Sequence, residues 1–229
     1  MISTISSVIL LVLFLICIFL VVKQPSDAER RRRRFINELE QFLVANKEII
    51  RGSTFQNYKL SFDFEGVKFV FEDIEEKSLK GSFNSAYLRV KLPKDLDLMF
   101  IGKKESVNIR KDVFLASEMD ADDYSTRKKL KSPSELIEFD INSLTPSDIS
   151  LFLSKRKVLK VLFKLKEKDE RGQWFIPLKI VRGEVVITFG PSREMQSSYY
   201  RLQANLYQIE NYLEYLLILE KEAKKIFCR

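Results

Sequence analysis

The sequence predicts an α+β fold behind a single N-terminal transmembrane helix. Three observations carry that expectation. An apolar run over Ile2–Val22 is followed by the five arginines Arg30–Arg34, period-two alternation recurs through the middle of the chain, and heptad spacing marks its C-terminal end. The expected divisions are an anchor over 1–23, a basic juxtamembrane segment and helix over 24–54, an α+β domain over 55–190 and a long C-terminal helix over 191–229. The sheet is expected to be mainly antiparallel and built of hairpins, with helices flanking it.

Val8–Val22 carries no charge and no helix breaker. At 1.5 Å per residue, about 20 residues cover the ~30 Å hydrocarbon core. A core helix is amphipathic, whereas this run is apolar all round. The competing reading is a cleaved signal peptide, with Ser26 and Ala28 at the small-residue positions of a cleavage site. The flank MISTISS, however, lacks the positive charge such a peptide carries. Lys23 and Arg30–Arg34 would also be the first charges drawn across, against the tendency of span-flanking cations to stay inside. The expected orientation is N-terminus outside and residues 23–229 in the cytoplasm; the alternative is export after cleavage. Cys17 follows the bulky Ile16 and has apolar residues after it, so lipidation there is not expected, and Cys228 does not form a prenylation box. The two cysteines, one in the span and one near the chain end, predict no internal disulfide.

The formal charge is +7, of which Arg30–Arg34 supply five. The basic balance therefore reports the membrane flank, and a nucleic-acid partner is not expected. The chain has no histidine. That removes Ser-His-Asp and Cys-His nucleophiles, histidine general bases and histidine-ligated metals together. No phosphate loop, dinucleotide fingerprint or nucleophile elbow occurs. No cofactor and no metal are expected, and an enzyme would have to run on carboxylates, lysine, tyrosine or serine.

The elements follow in order. Pro25 ends the span, and Ser26 or Asp27 caps a helix running to about Ile50, with Phe35, Leu39, Phe42 and Ile49 on one stripe, Leu43 widening it and Gly52 ending it. Tyr58, Leu60, Phe62 and Phe64, then Val67, Phe69 and Phe71 alternate about Gly66, which predicts a hairpin with one buried face. Tyr87–Leu92 and Leu96–Ile101 read as two more strands joined through Pro93-Lys94-Asp95, the first beginning as early as Phe83. Val107–Ile109 and Val113–Leu115 add short strands. The acidic group Glu118, Asp120, Asp122 and Asp123 lacks the central glycine and closing glutamate of a calcium loop and reads as solvated. Leu136–Ile141 is a strand. Thr145-Pro146 starts a helix to about Lys166, with a break near Ser154 as the variant that would turn Val158–Leu165 into a strand. Trp174–Val181 and Glu184–Phe189 make a hairpin about Arg182-Gly183. After Gly190-Pro191-Ser192 a helix runs to the end.

Phe139-Asp140, Pro146, Leu153, Leu162, Trp174-Phe175, Ile180, Gly183 and Val185-Val186, taken as a spaced pattern, resemble a group of bacterial membrane-anchored proteins without an assigned activity. The resemblance covers roughly 56–220. It implies a helix, a short hairpin and a C-terminal helix behind one or two N-terminal spans, and no catalytic site.

Three features are candidates for function. Arg30, Arg31, Arg32, Arg33 and Arg34 stand where lipid headgroups lie, or serve topology alone. Lys157, Lys160, Lys164 and Lys168 fall on one helical face among Lys155, Arg156 and Lys166, which fits an acidic partner, a membrane surface or plain solvation. Met195, Tyr199, Leu202, Leu206, Ile209, Leu213 and Leu216 step by 4-3-4-3, broken at Glu220 and resumed at Ala223 and Phe227. That stripe serves either as an oligomer seam or as packing within the domain. The expected function is a non-catalytic, single-pass membrane-tethered interaction or assembly subunit. Its expected partners are the bilayer and a protein or a second copy. The alternatives are a lipid or acidic-ligand sensor and a carboxylate- or lysine-based enzyme.

Overall fold

A computed structural model describes residues 27–51, 56–78, 81–103, 126–168, 174–189 and 206–228. The apolar run, the strands expected at 107–115, the acidic group at 118–123 and the start of the C-terminal helix lie outside them. Among the described residues no helix is long and apolar enough to cross a membrane. The chain divides into two compact units, Met1–Leu39 and Glu40–Arg229.

Helix α1 spans Asp27–Leu43. Phe35, Ile36 and Leu39 form its buried stripe. The helix does not reach Ile50, because the chain reverses at Val44. There Ala45 N–H reaches back to Glu40 O at 3.0 Å and Val44 N–H to Gln41 O at 3.3 Å, a Schellman closure. Its price is a valine at φ 49°, a conformation usually given to glycine. Asn46–Arg51 then forms strand β1. Ile49 lies opposite Tyr58 and Ile50 opposite Asn57, so two residues that fit a helix stripe are strand residues. β-branched neighbours favour that outcome.

The main sheet of the second unit adds β2 (Gln56–Phe64), β3 (Val67–Ser78), β4 (Gly81–Lys91), β11 (Glu184–Phe189) and β10 (Leu178–Val181). Its order is β1-β2-β3-β4-β11-β10, antiparallel throughout. The expected hairpins are present, each with a two-residue loop. Glu65-Gly66 and Arg182-Gly183 both carry positive φ at both positions, the turn whose twist matches the flanking strands. Leu60, Phe71, Leu88 and Ile187 align across four strands on the core face and are buried.

The segment after Pro93 departs from expectation. Leu96 and Leu98 are buried, but Leu98 only bridges Ile180. Strand β5 (Met99–Gly102) belongs to a second sheet, with β7 (Phe139–Ser143) between it and β6 (Lys128–Leu130). The strand expected at Leu136–Ile141 is divided: Ser134–Leu136 is a 3-10 turn and the strand starts at Phe139. Trp174–Val181 is divided too. Pro177 has no N–H for a ladder, so β9 (Trp174–Phe175) pairs instead with β8 (Glu167–Lys168). The Pro177 carbonyl still accepts from Thr188 N–H at 2.9 Å.

The helix expected from Thr145 to Lys166 is two helices, α2 (Pro146–Leu153) and α3 (Arg156–Lys164). Pro146 opens α2 as anticipated. The break falls at Ser154-Lys155, where Lys155 is extended (φ −81°, ψ 120°) and its carbonyl starts α3 by accepting from Leu159 N–H. The alternative strand over Val158–Leu165 is not formed. Helix α4 (Leu206–Phe227) packs on β4, α2 and α3, so the second unit stacks a sheet, one long helix and a helix pair. Phe71, Phe189 and Tyr212 form a continuous aromatic contact between sheet and helix, at 6.3 and 5.3 Å between ring centres.

Candidate functional site

The arginine block sits on the first turns of α1. Arg30, Arg31, Arg33 and Arg34 are exposed, but Arg32 is only 2% exposed. Glu29 holds two of the five: its carboxylate lies 3.1 Å from Arg32 Nη1 and 3.1 Å from Arg33 Nε. Arg32 is therefore not available to a headgroup, and four arginines remain as the candidate contact.

The basic face is rearranged. Lys157, Lys160 and Lys164 are exposed on α3, whereas Lys168 is on β8 and not on the helix. Val158, Val161 and Leu162 turn inward. Phe163 points outward and is 56% exposed. Lys166 follows a different logic from its neighbours. Its ammonium lies 2.8 Å from Glu138 Oε1 and 3.3 Å from the Glu135 carbonyl. The rings of Phe163, Trp174 and Phe139 surround it at 5.0, 4.9 and 5.9 Å. The Lys166 hydrogen bond is the main cause holding the Glu138 carboxyl below its ordinary pKa. Lys166 is thus a structural cation, paired and stacked. By contrast, Arg156, Lys157, Lys160, Lys164 and Lys168 meet no carboxylate among the described residues. Lys164 and Lys168 lie over the rings of Tyr215 and Trp174, at 5.4 and 4.7 Å.

Of the heptad stripe, Met195, Tyr199 and Leu202 lie outside the described residues. Ile209, Leu213 and Leu216 are buried within this single chain, together with Leu217, Leu219 and Ala223. Glu220, at the break in the heptad, is 3% exposed; Lys224 one turn on pairs with its Oε1 at 2.6 Å. The wide apolar surface of α4 is the signal that points to packing inside the domain.

The strongest buried polar cluster was not legible beforehand. Arg127 donates to both oxygens of Asp97, each at 2.9 Å, and both side chains are buried. Asp97 Oδ1 also accepts from Leu144 N–H at 3.1 Å, Asp97 N–H donates to Thr145 Oγ1 at 3.0 Å, and the Ser143 hydroxyl donates to the Asp97 carbonyl. These bonds tie the start of β5, the end of β7 and the entrance of α2 into one knot. Asp97 and Arg127 are 30 residues apart, and no spacing rule joins them. Burial and the neighbouring Glu167 carboxylate together push the Tyr212 phenol upward, and its hydroxyl donates to Glu167 Oε1 at 2.9 Å. Each of these groups is held by a partner in the fold. No cluster of three metal-ligating residues occurs among the described residues.

The other feature missed by sequence reasoning is the sheet edge. β1 is terminal in the main sheet, and Asn46, Glu48, Ile49 and Ile50 are exposed. Ile49 (57%) and Ile50 (42%) project to opposite faces, and Val44 before them is 89% exposed. No protein-family model matches this chain, and neither a curated protein nor a solved structure matches it.

Proposed function

We propose that this chain is a non-catalytic, single-pass membrane-tethered interaction subunit. Its α+β domain faces the cytoplasm, and it receives a partner strand along β1. The terminal place of β1 among the described strands carries the reading. A terminal strand offers a row of unpaired backbone donors and acceptors, which folded proteins normally blunt or cover. Here it also offers apolar side chains on both faces, Ile49 on one and Ile50 on the other. Added strands take their affinity from the backbone row and their selectivity from alternate side chains. A tether supports such a surface, because confinement raises the effective concentration of a weakly bound partner.

The test is photocrosslinking from position 49 in the full chain, in its native membrane. A discrete adduct that disappears with I50K in the same chain supports the reading, since an exposed edge residue changes stability by only about 0.5 kcal/mol or less. An adduct that survives I50K, or none at all, rejects the edge as the site. Orientation is tested separately: a protease added to intact cells should leave the domain whole, and trimming would reject the cytoplasmic assignment.

The exposed cations of α3, which meet no carboxylate among the described residues, favour a second reading, in which a membrane surface or an acidic ligand is the partner.

A further inference from the structure

We propose that the outer face of α3 touches the anionic headgroups of the membrane that holds the tether, with Phe163 entering the interface between flanking cations. The proposal rests on the tethered reading above.

Arg156, Lys160, Phe163 and Lys164 stand at i, i+4, i+7 and i+8, so 3.6 residues per turn brings them to one face. Val158, Val161 and Leu162 occupy the opposite, buried side. Three cations at four-residue steps repel one another along a helix. Among the described residues no carboxylate approaches Arg156, Lys157, Lys160 or Lys164. Some exposed lysines elsewhere in the domain are paired, as in Lys94–Asp148 at 2.8 Å, Lys129–Asp140 at 2.9 Å and Lys221–Glu65 at 2.7 Å, whereas on α3 the cations are also close neighbours on one short helix. The α3 face therefore presents concentrated charge that an external anion would complete.

Phe163 adds a second, independent observation. The residue is exposed among the cations of α3 and not at a distance from them. The Lys166 ammonium lies 5.0 Å from the ring centre, and Phe163 is 56% exposed. Ile137, 59% exposed, follows the 3-10 turn that packs against α3. Aromatic residues among long basic ones are the pattern of helices that lie in the headgroup region, with apolar groups dipping inward and the cations reaching phosphate. Binding single-stranded nucleic acid calls for several stacking rings, and α3 offers one. The Val8–Val22 run and Arg30–Arg34 in the same chain make a bilayer the nearest extended anion.

The test uses the full chain carrying F163W in a W174F background, so that the chain's single indole reports this face. It is reconstituted with vesicles of phosphatidylcholine alone or mixed with phosphatidylglycerol, the lipids brominated along their chains. Expected is a blue shift with quenching in the anionic vesicles, at least twofold weaker in the neutral ones, reversed by high salt and lost with K157E/K160E/K164E. An F163S variant with native Trp174 should keep its melting temperature while losing anionic-lipid protection of α3 from hydrogen exchange. An indole that is equally unquenched in both vesicles overturns the proposal. So does a shift produced by an oligonucleotide or an acidic peptide but not by anionic vesicles. Flotation with neutral vesicles reads the tether on its own. If the chain fails to float, the tethered reading fails, and the same indole still reports whether anionic vesicles reach α3.

Discussion

Gly66 and Gly183 occupy equivalent places in two hairpin turns, at φ +77° and +73°, yet replacing each by alanine should have unequal effects. The left-handed backbone costs an alanine about 1 kcal/mol at either site. A stiffer unfolded chain returns ~0.4–1 kcal/mol, again equally. The difference comes from space. A Cβ on Gly66 meets nothing within 4 Å. A Cβ on Gly183 would lie 2.8 Å from the Lys94 carbonyl oxygen, 3.0 Å from Asp95 Oδ1 and 3.1 Å from Asp95 Cα. That backbone cannot simply retreat, because Gly183 N–H donates to Leu96 O at 2.9 Å and its carbonyl accepts from Leu92 N–H at 2.7 Å. Overpacking of this kind costs about 1–3 kcal/mol. At roughly 2–4 °C per kcal/mol for a domain of this size, Gly183→Ala should melt about 2–12 °C below Gly66→Ala. The measurement is thermal unfolding of the full chain in mild detergent, followed by far-ultraviolet circular dichroism. Coincident melting curves would refute the docking of the second hairpin on the Leu92–Leu98 segment.

Three further outcomes follow from the geometry. Val44→Gly should stabilise the chain by about 0.5–1 kcal/mol, since it removes a β-branched residue from the left-handed region and sacrifices no packing at an 89% exposed site; a lower melting temperature would contradict the Schellman closure. Arg127→Met should destabilise by about 3–5 kcal/mol by leaving the Asp97 carboxylate buried without its cation, and adding Asp97→Asn should recover most of that loss in urea unfolding; an unrecovered double variant would count against the pair. Glu138 is held below its ordinary pKa chiefly by Lys166, so its contribution is complete above the ordinary carboxylate range and fades as pH falls through the lowered folded value. Glu138→Gln should therefore flatten the acid limb of the stability curve, and an unchanged limb would show that the Lys166 contact does not persist in solution.

Where local pattern and tertiary demand agreed, the sequence was readable. The β2–β3 hairpin, the Arg182-Gly183 turn and the Pro146 helix start each combine a periodic run with a residue suited to the local backbone. Where they conflicted, the pattern misled. Phe42 and Ile49 fitted a helix stripe by spacing, but pairing with β2 drew Ile49 into a strand. Thr145 to Lys166 read as one helix, and the extended Lys155 divided it into α2 and α3. The candidate sites divided in the same way: exposure of Lys157, Lys160 and Lys164 was expected from charge, whereas burial of Arg32 and the separate position of Lys168 were not.

By itself, the sequence determined the chemistry at hand: no imidazole, an arginine block after an apolar run, hairpin turns at Gly66 and Gly183, and a helix at the end of the chain. These depend on residue type and near neighbours, which act over a few residues. Only the tertiary structure decided which charges are spent and which remain. Asp97 finds Arg127, Lys166 finds Glu138 and three rings, and the cations of α3 meet no carboxylate among the described residues. Such pairings join residues far apart in the chain, and burial, which determines whether a charge needs a partner at all, exists only once the layers have packed.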